Sequence, residues 1–423
     1  MNVQIAEIVG QEALKVPALQ GKLVIQEMRL EGYILLIAGV FVGAQVDLDS
    51  FYLVSRTQVF TRSPAVYGEQ VDGAPRKCYF RFLTSVLFLP AEFELYLRVT
   101  DAAGRSYDIL SITGRHCLPR LAVSGELQPL LVSAGRARSG TTYLMRLLAG
   151  HPQICAVQEY PYESRHALYW MQVCAVASGP ADLRNSVTPQ SMLDSKFLAG
   201  RNPYFDPRSE HFQWMANQGV EMVCANTKHI IAEFYRTLAE QIGKESPRYF
   251  LEKFPNHFLP QLFINLYAQP REVFLVRDLR DVFCSMLAFN QRRGHEDFGF
   301  EAKRTPAEML LIHLEEFWKS YHKYLKRYRP GERIVIRYED LVEDTPAVLR
   351  KLLSRLDLDC EAALIAQLVM AADGDRSLRS QHMTSEDKRA SVGRWRRDLP
   401  PDLQALAAER LGDYCERFGY EQR

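Results

Sequence analysis

The first part of the chain alternates between apolar and polar residues with the period of two that β-strands require. In Glu92–Val99 (EFELYLRV) every second residue is apolar, and Asp101–Gly104 then supplies a turn before the returning run Arg105–Ile112. Two further apolar and aromatic runs, Gly32–Val42 and Lys77–Val86, have the same strand-like character. This part of the chain is therefore predicted to form a small antiparallel β-sandwich.

From Leu130 onward the pattern changes to short apolar runs that alternate with segments of helical period. Leu130–Ala134 predicts a buried strand, and Pro306–Tyr328 predicts a long amphipathic helix. The other predicted elements are strands at Glu221–Ala225, Arg248–Glu252, Glu272–Val276 and Arg333–Leu341 and an aromatic-rich helix within Pro161–Ala177. Strands that alternate with helices favour a parallel sheet covered by helices on both faces.

The two patterns predict two domains, residues 1–125 and residues 126–423. Gly114–Pro129 contains two prolines and two glycines, so it is predicted to be the linker. Ser178–Asn217 is rich in proline and has little periodicity, which indicates a loop that faces a substrate.

The composition is that of an ordinary globular protein, with 47% hydrophobic residues, 24% charged residues and a net charge of +1. With so small a net charge the protein as a whole has no strong positive electrostatic potential, so no nucleic-acid partner is expected. The eight cysteines are scattered without a CxxC pair, which is typical of buried thiols in a reducing compartment. The N-terminus lacks the order of a secretory signal, and the apolar run Tyr33–Val46 is too short to span a membrane. We expect a cytoplasmic protein without a transmembrane segment.

A loop follows the strand at Leu130–Ala134 and combines glycines, arginines and hydroxyls in GRARSGTT. Its candidate anion-binding residues are Gly135, Arg138, Ser139, Gly140, Thr141 and Thr142. Glycines allow backbone N–H groups to turn inward, a helix N-terminus attracts negative charge, and arginine forks match phosphate or sulfate oxygens. The alternative is an ordinary capped helix. The nucleotide-triphosphatase version of this loop has Lys followed by Ser or Thr, so no metal is implied.

Two further clusters contain candidate cofactor-binding residues. Arg277 lies at the end of the strand Glu272–Val276, with Ser285 in the helix that follows, and it could bind a second phosphate. A local Asp–Arg pair at a helix start is the competing interpretation. Near the C-terminus, Gly393, Arg394 and Trp395 lie among further arginines, a combination that suits a purine and its phosphates; a solvated linker is the alternative here.

The three clusters together resemble the sulfotransferase superfamily, whose members transfer a sulfuryl group from 3′-phosphoadenosine 5′-phosphosulfate (PAPS). RSGTT (Arg138–Thr142) is similar to its 5′-phosphosulfate loop, VRDLRDVFCS (Val276–Ser285) to its 3′-phosphate element, and SVGRWR (Ser391–Arg396) to its C-terminal cofactor loop. The order of the motifs is also that of the family. The resemblance implies a P-loop-type parallel sheet flanked by helices, after a sandwich that has no counterpart in the family.

The resemblance also implies catalytic roles. Arg138 and Lys253 correspond to cations that stabilise the leaving phosphate, and Glu159 has a spacing similar to that of the glutamate base in tyrosylprotein sulfotransferases. His166 and His257 are the reserve candidates for the base, and a carboxylate at a helix start is the alternative interpretation of Glu159. The chain departs from the family at Leu279, where proline is usual, a change that should loosen the turn.

The acceptor hydroxyl compound is left open between a glycan, a lipid-linked sugar, a peptide and a small metabolite, and the oligomeric state is also left open. Two rival functions remain at this point. One is a P-loop kinase-like phosphotransferase. The other is a carbohydrate-binding protein without catalysis, based on exposed aromatics such as Tyr52, Tyr67 and Tyr79.

Overall fold

The structure, a computed structural model, describes most of the chain. The described residues are 2–8, 14–16, 19–55, 59–117, 127–179, 208–254, 260–294, 304–325, 333–374 and 387–421. The chain forms two compact units: Met1–Ala122 with Leu168–Ile231 and Phe258–Ala268, and Val123–Ala167 with Ala232–His257 and Gln269–Arg423. The predicted boundary between residues 1–125 and 126–423 stays a prediction, and the first unit takes in two later segments as well.

The N-terminal strands of the first unit form two antiparallel sheets within the described residues. The strands are β1 Asn2–Ile8, β2 Leu14–Val16, β3 Gly21–Glu31, β4 Ile34–Val42, β5 Leu48–Val54, β6 Val59–Pro64, β7 Val66–Tyr67, β8 Lys77–Ser85, β9 Glu92–Asp101 and β10 Ser106–Cys117. One sheet has the order β1-β10-β9-β5-β6 and the other β2-β3-β4-β8-β7. The rings of Phe51 and Phe80 stack across the two sheets with centroids 4.7 Å apart, as expected for a sandwich.

Strand β9 shows why the alternating sequence forms these sheets. Phe93, Leu95 and Leu97 are buried, whereas the alternate residues Glu92 and Glu94 are exposed. The following turn is closed by Asp101, whose carboxylate accepts hydrogen bonds from the backbone N–H groups of Ala103 and Arg105, at 3.0 and 2.9 Å. The predicted strands and turn are confirmed here.

The second unit contains a five-stranded parallel sheet of order β12-β13-β11-β14-β15. Its strands are β11 Gln128–Ala134, β12 Ile154–Cys155, β13 Tyr249–Phe254, β14 Arg271–Val276 and β15 Arg333–Arg337. The α-helices that the structure describes in the whole chain are α1 Thr141–Ala149, α2 His166–Ser178, α3 Glu210–Trp214, α4 Val220–Gln241, α5 Pro260–Leu266, α6 Leu279–Arg293, α7 Pro306–Leu325, α8 Tyr338–Glu343, α9 Thr345–Arg355, α10 Ala362–Gly374, α11 Trp395–Asp398, α12 Pro401–Arg410 and α13 Gly412–Phe418. Short 3₁₀ turns occur at Val86–Phe88 and Arg389–Ser391, and a π turn at Met215–Gly219.

Helices cover both faces of this sheet, as predicted. On one face, Val273 and Leu275 of β14 pack in an apolar layer with α1, α9 and α10. On the other face, Phe274 and Val276 pack with α6, α7, α12 and α13. Successive residues of one strand thus enter opposite layers, which explains why β14 is a continuous apolar run. The fold class predicted from the sequence, a parallel sheet flanked by helices after an antiparallel sandwich, is confirmed.

Two predicted strands are wrong in whole or in part. Glu221–Ala225 lies in α4, because buried residues recur at helical spacing over the whole helix, from Val220 through Cys224 and Ile231 to Tyr235. The run Arg333–Leu341 is a strand only to Arg337 and continues as α8. A window of a few β-prone residues does not reveal either helix.

Other predicted boundaries shift as well. Gly114 belongs to β10 and Pro129 to β11, so the predicted linker is wrong at both ends; its middle, 118–126, lies outside the described residues. Most of the predicted substrate-facing loop, 180–207, also lies outside them. Among the described residues the structure contains no helix with the length and apolar character that crossing a bilayer requires.

Candidate active site

The loop between β11 and α1 has a backbone that only glycine permits at two positions. A Cβ atom at Gly135 would lie 2.2 Å from Cε2 of Phe317, and one at Gly140 would lie 2.4 Å from Cδ2 of Tyr338. Gly140 also has a φ of 92°, in the left-handed region. Ser139 is buried and donates its hydroxyl to the carbonyl of Arg136 at 2.8 Å. The loop therefore leads tightly into the first turn of α1, whose N–H groups lack intrahelical partners.

Arg138 points toward α6. Its Nε donates to Oγ of Ser285 at 3.3 Å, and its guanidinium lies 4.5 Å from the centroid of the Phe289 ring. Burial, followed by the charge of Arg277, lowers the pKa of Arg138 to about 10. Two predicted cofactor-binding residues from different motifs, Arg138 and Ser285, thus meet directly.

Arg277, immediately after β14, joins the first loop to the C-terminal loop. It is buried, with one terminal nitrogen donating to the carbonyl of Arg138 and the other to the carbonyl of Ser391, both at 2.8 Å. Its guanidinium lies 4.4 Å from the Tyr338 ring. Its Nε is buried and has no hydrogen-bond partner among the described residues. The two terminal nitrogens of Arg277 thus bind carbonyls while its Nε–H lacks a partner. A buried donor of this kind suits an additional, anionic acceptor.

The turn after Arg277 is held by side chains rather than by a proline. Asp278 caps α6, and its carboxylate receives both the backbone N–H of Arg280, at 3.0 Å, and the Arg280 guanidinium, at 2.7 and 3.0 Å. Glu339 accepts the backbone N–H of Asp278 at 3.0 Å. The loosening expected from Leu279 is therefore countered by this network, and Leu279 itself is buried.

Asp281 fixes the C-terminal loop, a role that the sequence did not reveal. Its two carboxylate oxygens accept the backbone N–H groups of Gly393 and Trp395, at 2.7 and 3.0 Å. Burial, followed by the charge of Asp278, raises the pKa of Asp281 to about 6. Asp281 belongs to the second motif, but its partners lie more than a hundred residues later, so only the folded chain could identify them.

Trp395 does not offer its ring to a purine in this structure. The indole is 3% exposed, packs in the apolar layer with α12 and α13, and lies 3.7 Å from the guanidinium of Arg280. Arg394 is also buried and donates to Asp398 at 2.6 Å. The interpretation of Trp395 as a stacking residue is thus not supported. Its aromatic ring fills the core instead.

Lys253, near the end of β13, lies beside α1. Its Nζ donates to Oγ1 of Thr142 at 3.0 Å, to Oε1 of Glu163 at 2.6 Å and to the carbonyl of Pro161 at 3.4 Å. Burial lowers the pKa of Lys253 below its usual range, and the hydrogen bond to Glu163 opposes that shift. Glu163 is a residue that the sequence did not single out. It lies four residues after Glu159, and its pairing with Lys253 is evident only in the folded chain.

Glu159 lies in the segment between β12 and α2 and is exposed. Its carbonyl accepts the backbone N–H of Tyr162 at 2.8 Å, while its carboxylate has no hydrogen-bond or ion-pair partner within the described residues. Helix α2 begins only at His166, so the alternative of a carboxylate at a helix start is wrong.

Two histidines are the reserve candidates for the base. The ring of His166 stacks on Phe234 with centroids 3.7 Å apart, and burial lowers the pKa of His166. The other reserve candidate, His257, lies outside the described residues.

Residues 129–362, more than half of the chain, match the model of the sulfotransferase family. The chain belongs to the sulfotransferase family. The match begins in β11 and includes the first loop, Lys253 and Arg277 of this sulfotransferase, and it ends before Gly393. No curated protein matches the sequence of this chain.

Several solved structures are distantly similar to this sulfotransferase. The sulfotransferase domain from the curacin biosynthetic pathway is 18% identical, with a TM-score of 0.39, over 70% of this chain and 99% of that chain. Mouse sulfotransferase SULT7A1 complexed with PAP is 14% identical, with a TM-score of 0.37, over 70% and 88%. A sulfotransferase from Alicyclobacillus acidocaldarius is 16% identical, with a TM-score of 0.35, over 70% and 97%.

In the described part of the sulfotransferase, no three His, Cys, Asp or Glu side chains are grouped as a metal site would need.

Proposed function

We propose that this sulfotransferase takes its sulfuryl group from PAPS and transfers it to an acceptor hydroxyl. The observation that supports this most is the meeting of Arg138 and Arg277 at the carboxyl ends of adjacent parallel strands. The guanidinium groups of Arg277, which is buried, and Arg138, which is half-buried, lie close enough for one to lower the pKa of the other, and this favours a polyanion between them.

The chain's own residues fit the two phosphate positions of such a donor. Arg138 and the glycine-bounded loop through Thr142 would hold the phosphosulfate end, because the first turn of α1 points N–H groups toward it. Arg277, with its unsatisfied Nε, and Ser285 would hold the 3′-phosphate. Gly393 and Arg394, fixed through Asp281 and Asp398, would complete this end. The donor supplies a sulfuryl group activated by a phosphate leaving group.

The proposed roles of the remaining residues concern charge and proton transfer. Lys253, held beside Thr142, and Arg138 would stabilise the negative charge that develops on the leaving group. Glu159 would accept the proton of the acceptor hydroxyl, for which its unengaged carboxylate is suited. Glu163 is less suited because its oxygens already accept from Lys253 and Arg165.

A glycan is one proposed acceptor, and a lipid-linked sugar, a peptide or a small metabolite are the others. The aromatic residues of the sandwich give limited support for a sugar. Tyr79 is 37% exposed, but the hydroxyl of Tyr67 donates to the carbonyl of Leu48 at 3.0 Å, and the guanidinium of Arg76 lies 3.9 Å from its ring centroid. A screen of acceptor classes with labelled donor would discriminate among them.

We also propose a cytoplasmic location, which the cysteines support. The described thiols are free, and all but that of Cys360 are buried. Such thiols persist in a reducing compartment.

Chelation is expected to leave activity unchanged, because the first loop has Arg138 before Ser139 where a kinase-like loop has Lys before a metal-binding hydroxyl. Turnover measured with and without EDTA, after dialysis of both samples, checks this. Loss of activity that added magnesium restores would favour the phosphotransferase alternative.

Ser285→Ala is expected to weaken binding of adenosine 3′,5′-bisphosphate by about 1 kcal/mol, since one hydroxyl donor to the 3′-phosphate is removed. Isothermal titration calorimetry measures the change, and Ser354→Ala, an exposed serine on α9, is the matched control. Equal affinities of the two variants would remove Ser285 from the proposed donor site.

A further inference from the structure

A cleft of about 430 Å³ lies along strand β15 at the margin of the parallel sheet. Every residue of β15 contributes to its lining, together with residues of α9 and the end of α13. Val348 and Leu352 belong to the apolar layer on one face of the sheet, and Phe274 and Phe418 to the layer on the other face. The cleft therefore follows the edge of the strand, with one wall on each side of the sheet.

The outer edge of β15 has backbone N–H and C=O groups that can form hydrogen bonds with another chain. Within the described ranges, β15 pairs only with β14. Alternate N–H and C=O groups of an edge strand point away from the sheet and can pair with another extended chain. The cleft thus presents a template for strand addition.

The cleft is strongly basic. Its charged lining residues are Arg333, Arg337, Lys351, Arg355 and Arg417 against the single carboxylate of Asp340. Arg333 is paired with Glu272 at 2.7 Å, and Arg337 lies 3.5 Å from Asp340. Lys351 and Arg355 are exposed on α9 and have no carboxylate partner among the described residues. This wall of the cleft therefore attracts a ligand with negative charges.

The floor also contains an apolar element. Val335, between Arg333 and Arg337 on β15, is 45% exposed. A free phosphate or sulfate ion would neither cover Val335 nor pair with the strand edge. A peptide would do both while placing carboxylates against α9.

The spacing of Lys351 and Arg355 determines which peptide sequence would fit the cleft. Lys351 and Arg355 are one helical turn apart, about 6 Å along α9. Residues i and i+2 of an extended strand lie about 6.6 Å apart on one face, and residue i+1 points to the opposite face. An acidic–apolar–acidic sequence would thus direct both carboxylates to α9 and its apolar side chain to the face of Val335.

We propose that the β15 cleft binds an extended acidic segment of a partner protein by strand addition. Lys351 and Arg355 pair with alternate carboxylates, and the partner's intervening apolar residue covers Val335. The interaction does not depend on the proposed donor site, because none of the residues proposed for the donor lines the cleft.

The test measures fluorescence anisotropy of a labelled peptide in which glutamate and valine alternate over the length of β15, added to the full chain. Saturable binding is expected, and the double variant Lys351→Glu/Arg355→Glu should weaken it by roughly tenfold or more. Arg350→Glu changes an exposed residue of the same helix that does not line the cleft, so it should bind as the parent does. Arg277→Lys should also retain peptide binding, which separates this proposal from the donor site.

Two further probes decide between strand addition and simple attraction of charge. A peptide with proline at its central position lacks an N–H group for the strand edge and should bind much more weakly. Inorganic polyphosphate should compete poorly. Equal binding of the proline peptide, or full competition by polyphosphate, would overturn the proposal in favour of a basic surface that only protects the edge from aggregation. Absence of saturable peptide binding would overturn it as well.

Discussion

Glu159→Gln is expected to lower kcat by about 10²- to 10⁴-fold while leaving folding and donor-product affinity unchanged. The amide cannot accept the proton of the acceptor hydroxyl but has nearly the shape of the carboxylate. Folding should not suffer, because the Glu159 side chain is exposed and has no polar partner among the described residues. Steady-state turnover, thermal melting and calorimetry with adenosine 3′,5′-bisphosphate measure the three quantities.

Glu163→Gln is the matched comparison, since it makes the same chemical change four residues later. It weakens the ion pair with Lys253, so we expect a smaller loss of turnover than for Glu159→Gln. If Glu159→Gln turns over within a few-fold of the parent while Glu163→Gln is nearly inactive, the base is Glu163. Nearly full activity of both variants would direct attention to His166 and His257.

Arg277→Ala is expected to weaken binding of adenosine 3′,5′-bisphosphate by about 1.5 to 3 kcal/mol, or roughly ten- to a hundredfold. The change removes a charged donor to the proposed 3′-phosphate and the two contacts that join the carbonyls of Arg138 and Ser391. Calorimetric titration gives the affinity. Arg350→Ala, at an exposed arginine of α9, should bind as the parent does.

Because Arg277 is buried and binds two carbonyls, the alanine variant also loses stability, and Arg277→Lys provides an independent measure. Lysine retains the charge but cannot reach two carbonyls with a planar fork, so an intermediate affinity is expected. A folded alanine or lysine variant with parental affinity would contradict the assignment of Arg277 to the donor site.

The elements of this protein that follow from local pattern could be predicted from the sequence. Strand β9 alternates strictly, and the strand–loop–helix unit at Gly135 combines an apolar run with glycines and hydroxyls, so both were predicted. The prediction of a strand at Glu221–Ala225 is wrong because a short apolar run fits either period. The helical period is visible only over the whole of α4, where burial repeats about every four residues.

The candidate site likewise has some features that local sequence predicts and others that it does not. The sequence by itself determined the family and the three motifs, because each motif places its glycines, arginines or hydroxyls within a few consecutive residues. Only the tertiary structure decided which side chains meet: Asp281 with the backbone of Gly393 and Trp395, Glu163 with Lys253, and the indole of Trp395 with the core rather than a cofactor. The hydrogen bonds of Asp281 and the ion pair of Glu163 join residues 90 or more positions apart. Their partners are chosen by the register of parallel strands and by burial, which no local sequence pattern records.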